Sequence, residues 1–387
     1  MNVKENCDFQ PKSPLNVYPS VVGGTTGGTL LKHLIEPIAS HLKIPSSAVH
    51  IEAIRHGTQQ KQNVCRLRID TESYLLKQHD ITTSVVEAGY TPFQIESTVL
   101  SLLHRNRCHV PKIIWKSERF HALLLEWCGE LTLDAMAQSK PIPELKPVLH
   151  TVLMELCRVE TVFAEHARQF EPYVFHFNLD ATLQRLLEQG RKTLGYLAHF
   201  QGASMTSSQA AHLDTAWDVI SNRLRTTPPT LDSLDYQGRN IMITERTPCF
   251  IDFASVGWDW QERRLAQYFN SIGANQEDAN FISLLNRDLV DTYAAWVITH
   301  REACSPADIA ARVDAHHLLF YLSVVHRLLQ AVAQPEAPKN RILLQAWGDA
   351  QARFQRAITL IVNTHLSDDV YTTRIREILS AFHVHVL

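Results

Sequence analysis

Asp235, Asn240 and Asp252 are the residues of this 387-residue chain whose types and spacing could carry out a reaction. Asp235 and Asn240 stand five apart in Leu231-Asp-Ser-Leu-Asp-Tyr-Gln-Gly-Arg-Asn240, and Asp252 follows twelve residues later in Phe250-Ile-Asp-Phe-Ala254. Phosphoryl transfer needs such a set. One carboxylate faces the attacking hydroxyl, while an amide and a second carboxylate hold hard Mg²⁺ ions on nucleotide phosphates. Any one of the three alone would more often be a turn or cap residue. Their spacing, with apolar segments around them, is what points to chemistry.

For the three to converge they must sit at one end of a short hairpin. Asn240–Ile243 and Cys249–Phe253 read as its strands, turned by Glu245–Pro248. The surroundings are mostly helical, with an amphipathic stretch over Pro143–Phe170 and further helices across Ala181–Leu197, Gln209–Leu224 and onward to about Phe382. Upstream the period changes. Val49–Ile54, Val64–Ile69 and Ser73–Gln78 read as strands, the first two joined by a polar tip that holds Gly57. Pro92 opens a helix with Phe93, Glu96, Leu100 and Leu103 on one face, and two more strands follow at Ile113–Trp115 and Ala122–Glu126. The spacing therefore predicts an α+β chain in three parts. A flexible leader covers 1–29, a small antiparallel five-stranded lobe with one helix covers 30–128, and a large, mainly helical lobe covers 129–387.

The run Asp235-Tyr-Gln-Gly-Arg-Asn-Ile-Met242, followed by Ile251-Asp-Phe253, resembles the catalytic and metal-binding loops of the aminoglycoside phosphotransferase and choline kinase-like superfamily. The flavour is nearest to the bacterial sugar-kinase branch, and the resemblance covers Val49–Phe269 in order. It implies a two-lobed protein kinase-like fold that transfers the γ-phosphate of ATP, with Mg²⁺, to a hydroxyl of a sugar, amino sugar or similar small molecule. By the same resemblance Asp235 is the catalytic residue and Asn240 and Asp252 hold the metal. Lys77 falls where these kinases keep the lysine that grips the nucleotide phosphates, and Glu96 where its pairing glutamate belongs. Glu126 and Cys128 fall in the interlobe hinge that would hold adenine, and Gly57 in the loop that would cover the phosphates.

Two positions depart from the pattern. Ser233 stands where a histidine is usual, and Arg264 replaces the aspartate that normally braces the catalytic-loop backbone. An unpaired buried guanidinium is costly, so Arg264 is expected either to point to solvent or to find a carboxylate, Asp232 in the first place, with Asp259 and Glu262 as alternatives. The departures leave one rival from another class, a pseudokinase that binds nucleotide as a regulatory or scaffold protein. A protein kinase fits less well, because the segment after Phe253 is short and no Ala-Pro-Glu follows it.

Composition narrows the partners. Lys and Arg total 37 against 40 Asp and Glu, a formal charge of −3, so no basic excess suggests nucleic acid or an anionic membrane. No apolar run reaches the roughly 20 residues that span a bilayer. The N-terminal Met-Asn-Val-Lys-Glu-Asn-Cys segment lacks the apolar stretch of a secretory signal, and the seven scattered cysteines form no Cys-x-x-Cys. These features predict a cytoplasmic protein, and the resemblance implies that it acts on a small molecule. For the acceptor, the sequence offers an acidic cluster at Glu277, Asp278, Asp288 and Asp291, or a basic one at His316, His317, His326 and Arg327.

Overall fold

Residues 31–56, 59–79, 89–200, 205–274, 281–301 and 304–381 are described by a computed structural model of the chain. The leader expected over 1–29, Gly57, Glu277 and Asp278 lie outside the described residues. Alternation sets up the first sheet. β1 (Val49–His56), β2 (Gln59–Ile69), β3 (Glu72–Gln78), β4 (Ile113–Ser117) and β5 (Ala122–Glu126) pair antiparallel throughout, in the order β1-β2-β3-β5-β4. One face carries Leu67, Leu76 and Leu124 onto Leu34 and Ile38, the latter in α1 (Ile35–Leu42). The other carries Leu75, Leu123 and Leu125 onto α2 (Pro92–Arg105), whose Phe93, Leu100 and Leu103 are buried there. Thr91 and Gln94 cap α2 reciprocally, and Pro92 fills its first position, which fixes where that helix begins.

The first two strands run further than alternation suggested. Pairing continues to His56 opposite Gln59 through a polar stretch, because ladder hydrogen bonds form whatever the polarity of the side chains.

Beyond the sheet come α3 (Leu133–Ser139), α4 (Ile142–Glu165), α5 (Ala167–Phe170), α6 (Leu179–Phe200) and α7 (Ser207–Thr226). Four short strands interrupt them: β6 (Thr230–Ser233), β7 (Ile241–Thr244), β8 (Thr247–Phe250) and β9 (Val256–Asp259). β7 pairs with β8, and β6 pairs with β9. The second pair escaped sequence analysis, since four-residue strands are too short to show a period. The chain ends in α8 (Gln261–Asn270), α9 (Arg287–His300), α10 (Pro306–Ala333), α11 (Pro338–Trp347), α12 (Ala350–Asn363) and α13 (Val370–Ala381). α10 is buried on nearly every side and packs on α6, α8, α9 and α12. It anchors the helical lobe. The expected α+β architecture, a five-stranded antiparallel lobe with a large helical one, is the observed one. Among the described residues no helix is long and apolar enough to cross a membrane.

Candidate active site

Strand alternation delivers Lys77. It shares with Leu75 the β3 face that looks onto α2, where Glu96 is buried. Lys77 Nζ donates to Glu96 Oε1 at 2.9 Å and lies 2.8 Å from Oε2. The same ammonium reaches into the helical lobe, 2.7 Å from Asp252 Oδ1. His79, two residues along the same face, brings Nε2 to 2.7 Å from Glu96 Oε2. Burial works against the Lys77 charge, but Asp252 and then Glu96 outweigh it and hold the ammonium's pKa above its ordinary value. Burial also opposes ionisation of Glu96, and the charge of Lys77, with His79 behind it, carries its pKa below the usual range. Lys77 and Glu96 are therefore each held in the charged form.

The hairpin supplies the other half. Glu245 and Arg246 turn it with φ of 50° and 79°, the left-handed pair that suits a two-residue connection between twisted strands. The Ile251 N–H donates to the Asn240 carbonyl at 2.9 Å, so Asp252 leaves β8 beside Asn240. Asp252 itself has a φ of 68°, a conformation that costs a non-glycine residue energy and recurs at functional sites. Asn240 Nδ2 donates to the Asp235 carbonyl at 3.2 Å, and Gln237 Nε2 donates to Asp235 Oδ1 at 2.6 Å. Burial pushes the Asp235 carboxyl up, and the negative charge of Asp252 pushes it further, against Arg239, Asn240 and Gln237.

Two mutually repelling carboxylates beside an amide are relieved by a hard cation. Among the described residues no group of three or more His, Cys, Asp or Glu forms a metal cage. That donor set fits Mg²⁺, which takes one or two protein oxygens and completes its shell with phosphates and water.

A second layer lies under the Asp235 loop, and here the sequence-based expectation is corrected. Arg264 is fully buried, yet no ion pair joins it to Asp232, Asp259 or Glu262 among the described residues. Its Nη1 donates to Thr230 Oγ1 at 2.6 Å, and its Nη2 donates to the Thr230 carbonyl and, at 3.4 Å, to that of Gly257. It staples β6 to β9. The expected partners are engaged elsewhere. Asp232 Oδ1 accepts the Ser233 N–H at 2.6 Å, Asp259 pairs with Arg263, and Glu262 pairs with Arg312 at 2.7 Å. Asp259 Oδ2 also accepts the Tyr236 hydroxyl at 3.1 Å, which holds the residue next to Asp235. Ser233 Oγ accepts the Asp235 N–H at 3.3 Å.

Glu126 closes β5, and Cys128 follows in the connection to the helical lobe. The Cys128 carbonyl accepts from Thr244 Oγ1 at 2.8 Å, and Arg66 stacks over the Trp127 ring at 4.6 Å. Gly129 has a φ of 97°, and a Cβ there would lie 2.8 Å from Thr244 Oγ1, so glycine is required twice over. Of the acidic acceptor cluster only Asp288 and Asp291 are described. Asp288 pairs with Lys146 and Asp291 with Arg287 on the surface, while His316, His317 and His326 are buried in α10 packing.

Sequence pattern does not single out His79, Gln237 or Tyr236, and it marks Asp259 only as a candidate partner for Arg264. His79 was legible in principle, because it follows Lys77 by two residues in register with the same face. The Asp259–Tyr236 contact spans separate elements and leaves no local signal.

No protein-family model matches the sequence, and no curated protein does. Solved structures do resemble the chain. A choline kinase from Cryptosporidium parvum superposes with a TM-score of 0.50 at 12% identity, covering 85% of this chain and 94% of that one. A choline/ethanolamine kinase family protein from Mesorhizobium loti gives 0.49 at 12% identity, covering 91% and 100%. This likeness shows the fold alone: the chain has a choline kinase-like fold. In this kinase-like fold the sheet lobe carries Lys77 and Glu96, the helical lobe carries Asp235, Asn240 and Asp252, and the contact between Lys77 and Asp252 joins the two.

Proposed function

We propose that this chain is a small-molecule kinase that transfers the γ-phosphate of ATP, with Mg²⁺, to a hydroxyl of a sugar, amino sugar or similar metabolite. One observation carries the reading: Lys77 touches Glu96 and Asp252 at once, and Asp252 emerges beside Asn240 and Asp235. Lys77 neutralises the inner phosphates, and Glu96 keeps it aimed. Asn240 and Asp252 offer the oxygens for Mg²⁺, which would neutralise charge on the phosphates of the bound nucleotide. Asp235 orients the acceptor hydroxyl and takes its proton, a role favoured by a carboxyl whose pKa is pushed up. Little covalent chemistry is asked of the protein, so positioning and charge compensation supply most of the rate. Glu126 and Cys128 would meet the adenine through their backbone, and residues 30–128 and 129–387 would form the nucleotide and acceptor lobes.

Ser233 favours the pseudokinase alternative, since the usual histidine is missing. Its hydroxyl nevertheless holds the Asp235 N–H, and the Arg264 staple keeps β6 in place, so the support for Asp235 is rebuilt and not lost. Magnesium-dependent ATP turnover over a panel of sugars, amino sugars and amino alcohols tests this. The kinase reading expects one acceptor to raise turnover and Asp235→Asn to remove that rise. ATP·Mg²⁺ binding with no turnover on any acceptor would favour the pseudokinase.

A further inference from the structure

Cys128 and Cys249 meet where the hinge enters the helical lobe. The Cys249 thiol donates to Cys128 Sγ with the sulfurs 2.6 Å apart. Both residues are half-buried, as is Cys304, whereas Cys65, Cys108 and Cys157 are buried, so a small oxidant reaches this pair before the three buried thiols. The backbone around it is already docked. Thr244 Oγ1 holds the Cys128 carbonyl, the Ile243 N–H donates to the Leu131 carbonyl at 2.7 Å, and Thr132 bridges to Met242, which stands opposite Cys249 in the hairpin. A covalent S–S bond of about 2.05 Å needs the sulfurs to close by only about half an ångström.

We propose that Cys128 and Cys249 form a reversible intramolecular disulfide that locks the hinge onto the β7–β8 hairpin. With a peroxide as oxidant, the Cys128 thiolate attacks one peroxide oxygen, the O–O bond breaks, and a sulfenic acid and hydroxide result. The Cys249 sulfur then attacks Cys128 Sγ, the S–S bond forms, the S–O bond breaks, and water carries the protons away. Two thiols and one peroxide give one disulfide and two waters in the case of hydrogen peroxide. A dithiol reductant reverses it by exchange. The bond to Cys128, and after it burial, pushes the Cys249 thiol's pKa up, which keeps Cys249 protonated and out of the first reaction with peroxide.

The lock has a mechanical consequence, which rests on the kinase reading, whereas the disulfide itself does not. Cys128 precedes Gly129, and tying it to β8 confines hinge rotation to the residues before it. Opening the cleft separates the elements that carry Lys77 and Asp252, so a pinned hinge keeps the cleft closed and retards release of bound nucleotide.

The experiment treats the full-length reduced protein with hydrogen peroxide, digests it without reductant, and seeks the Cys128–Cys249 cross-linked peptide by mass spectrometry. Dissociation of ATP·Mg²⁺ is measured on the reduced and oxidised forms in parallel. The expected result is a cross-link that dithiothreitol removes, together with affinity tightened by about fivefold or more through slower dissociation. Cys249→Ser should bind nucleotide like reduced wild type and lose the response to peroxide. Absence of the cross-linked peptide, with both thiols still open to alkylation, overturns the proposal. A cross-link with unchanged or weaker affinity overturns the lock. Failure of ATP·Mg²⁺ to bind either form overturns both the lock and the kinase reading, while the peptide still decides the disulfide.

Discussion

The clamp between the lobes and the layer beneath the Asp235 loop both bury charge, and they do it by opposite means. At the clamp, side chain meets side chain: Lys77 is shared by Glu96 from α2 and Asp252 from the far lobe. Beneath the loop, Arg264 binds mostly main chain, the carbonyls of Thr230 and Gly257, with the Thr230 hydroxyl as a further acceptor and the Tyr236 ring 5.7 Å from its guanidinium carbon. The clamp also opens to solvent, with the Asp252 side chain 39% exposed, whereas Arg264 is 0% exposed. On the proposed kinase reading Lys77 exchanges Asp252 for a phosphate, and it is held by side chains where the clamp opens to solvent. A group that must never move is tied to backbone in the interior.

If that contrast is right, breaking the clamp should cost function and spare stability. Asp252→Asn is the sharpest test, because asparagine tolerates the left-handed backbone at this position while losing the charge. Magnesium-dependent transfer is expected to fall about 1,000-fold, the scale for removing a preorganised charge from a transition state. The melting temperature should stay within about 2 °C, as for a change worth about 0.5 kcal/mol. Retained activity in this variant would remove Asp252 from the metal site.

The same contrast explains what the sequence could and could not reveal. Lys77, Glu96, Asp235, Asn240 and Asp252 sit in short runs with a period or a fixed spacing, so local pattern carries them. The hairpin was legible because its strands are apolar and its turn is polar. Arg264 was legible only as an anomaly. Its partner was misassigned because charge suggested a carboxylate, while the structure answers with carbonyl oxygens, which every residue carries and no sequence pattern marks. The β6–β9 pair and the tie from Asp259 to Tyr236 were invisible for a related reason. They bring together segments whose proximity is decided by packing of α4, α8 and α10, not by anything local.

Breaking the lower layer should reverse the balance. Arg264→Ala removes the staple and also the charge that keeps the buried Asp232 carboxyl, pushed up to about 6, from rising further. Stability is expected to fall by about 3 kcal/mol, read from urea unfolding, since a buried acid loses its compensating cation. Turnover should drop about 10- to 100-fold as Asp235 loses its aim. ATP affinity should stay as it was, because the staple touches neither Lys77 nor the hinge. A loss of affinity matching the loss of turnover would instead put Arg264 in nucleotide binding.

The smallest effect sharpens the comparison most, because it sets two equally buried glutamates against each other. Glu96 and Glu160 are each 1% exposed. Glu96 has Lys77 at 2.8 Å, and its pKa is lowered. The nearest cation to Glu160 is Arg301 at 3.8 Å, and neither of its carboxylate oxygens has a hydrogen-bond partner. Burial pushes its carboxyl up to about 8 from 4.5, with Arg301 pulling it down and Asp232 adding to the rise. Between 4.5 and about 8 the folded protein therefore holds a proton that the unfolded chain releases. Stability contributed by this proton is complete at the acidic end and is lost as pH rises, by at most about 1.4 kcal/mol per pH unit. Asp232 slopes the same way over the lower window from 3.8 to about 6. Glu160→Gln cannot ionise, so its melting temperature should match wild type at the acidic end and exceed it by about 2 °C or more at the alkaline end. Parallel curves would mean that Glu160 ionises in the fold as easily as in the unfolded chain. For Glu96 the sign inverts, since its stabilisation is present above the unfolded value and is lost only as pH falls. What separates the two is not burial but whether a cation stands in hydrogen-bond contact, and that is the property that makes the junction between the lobes a clamp and the Glu160 site a sealed support.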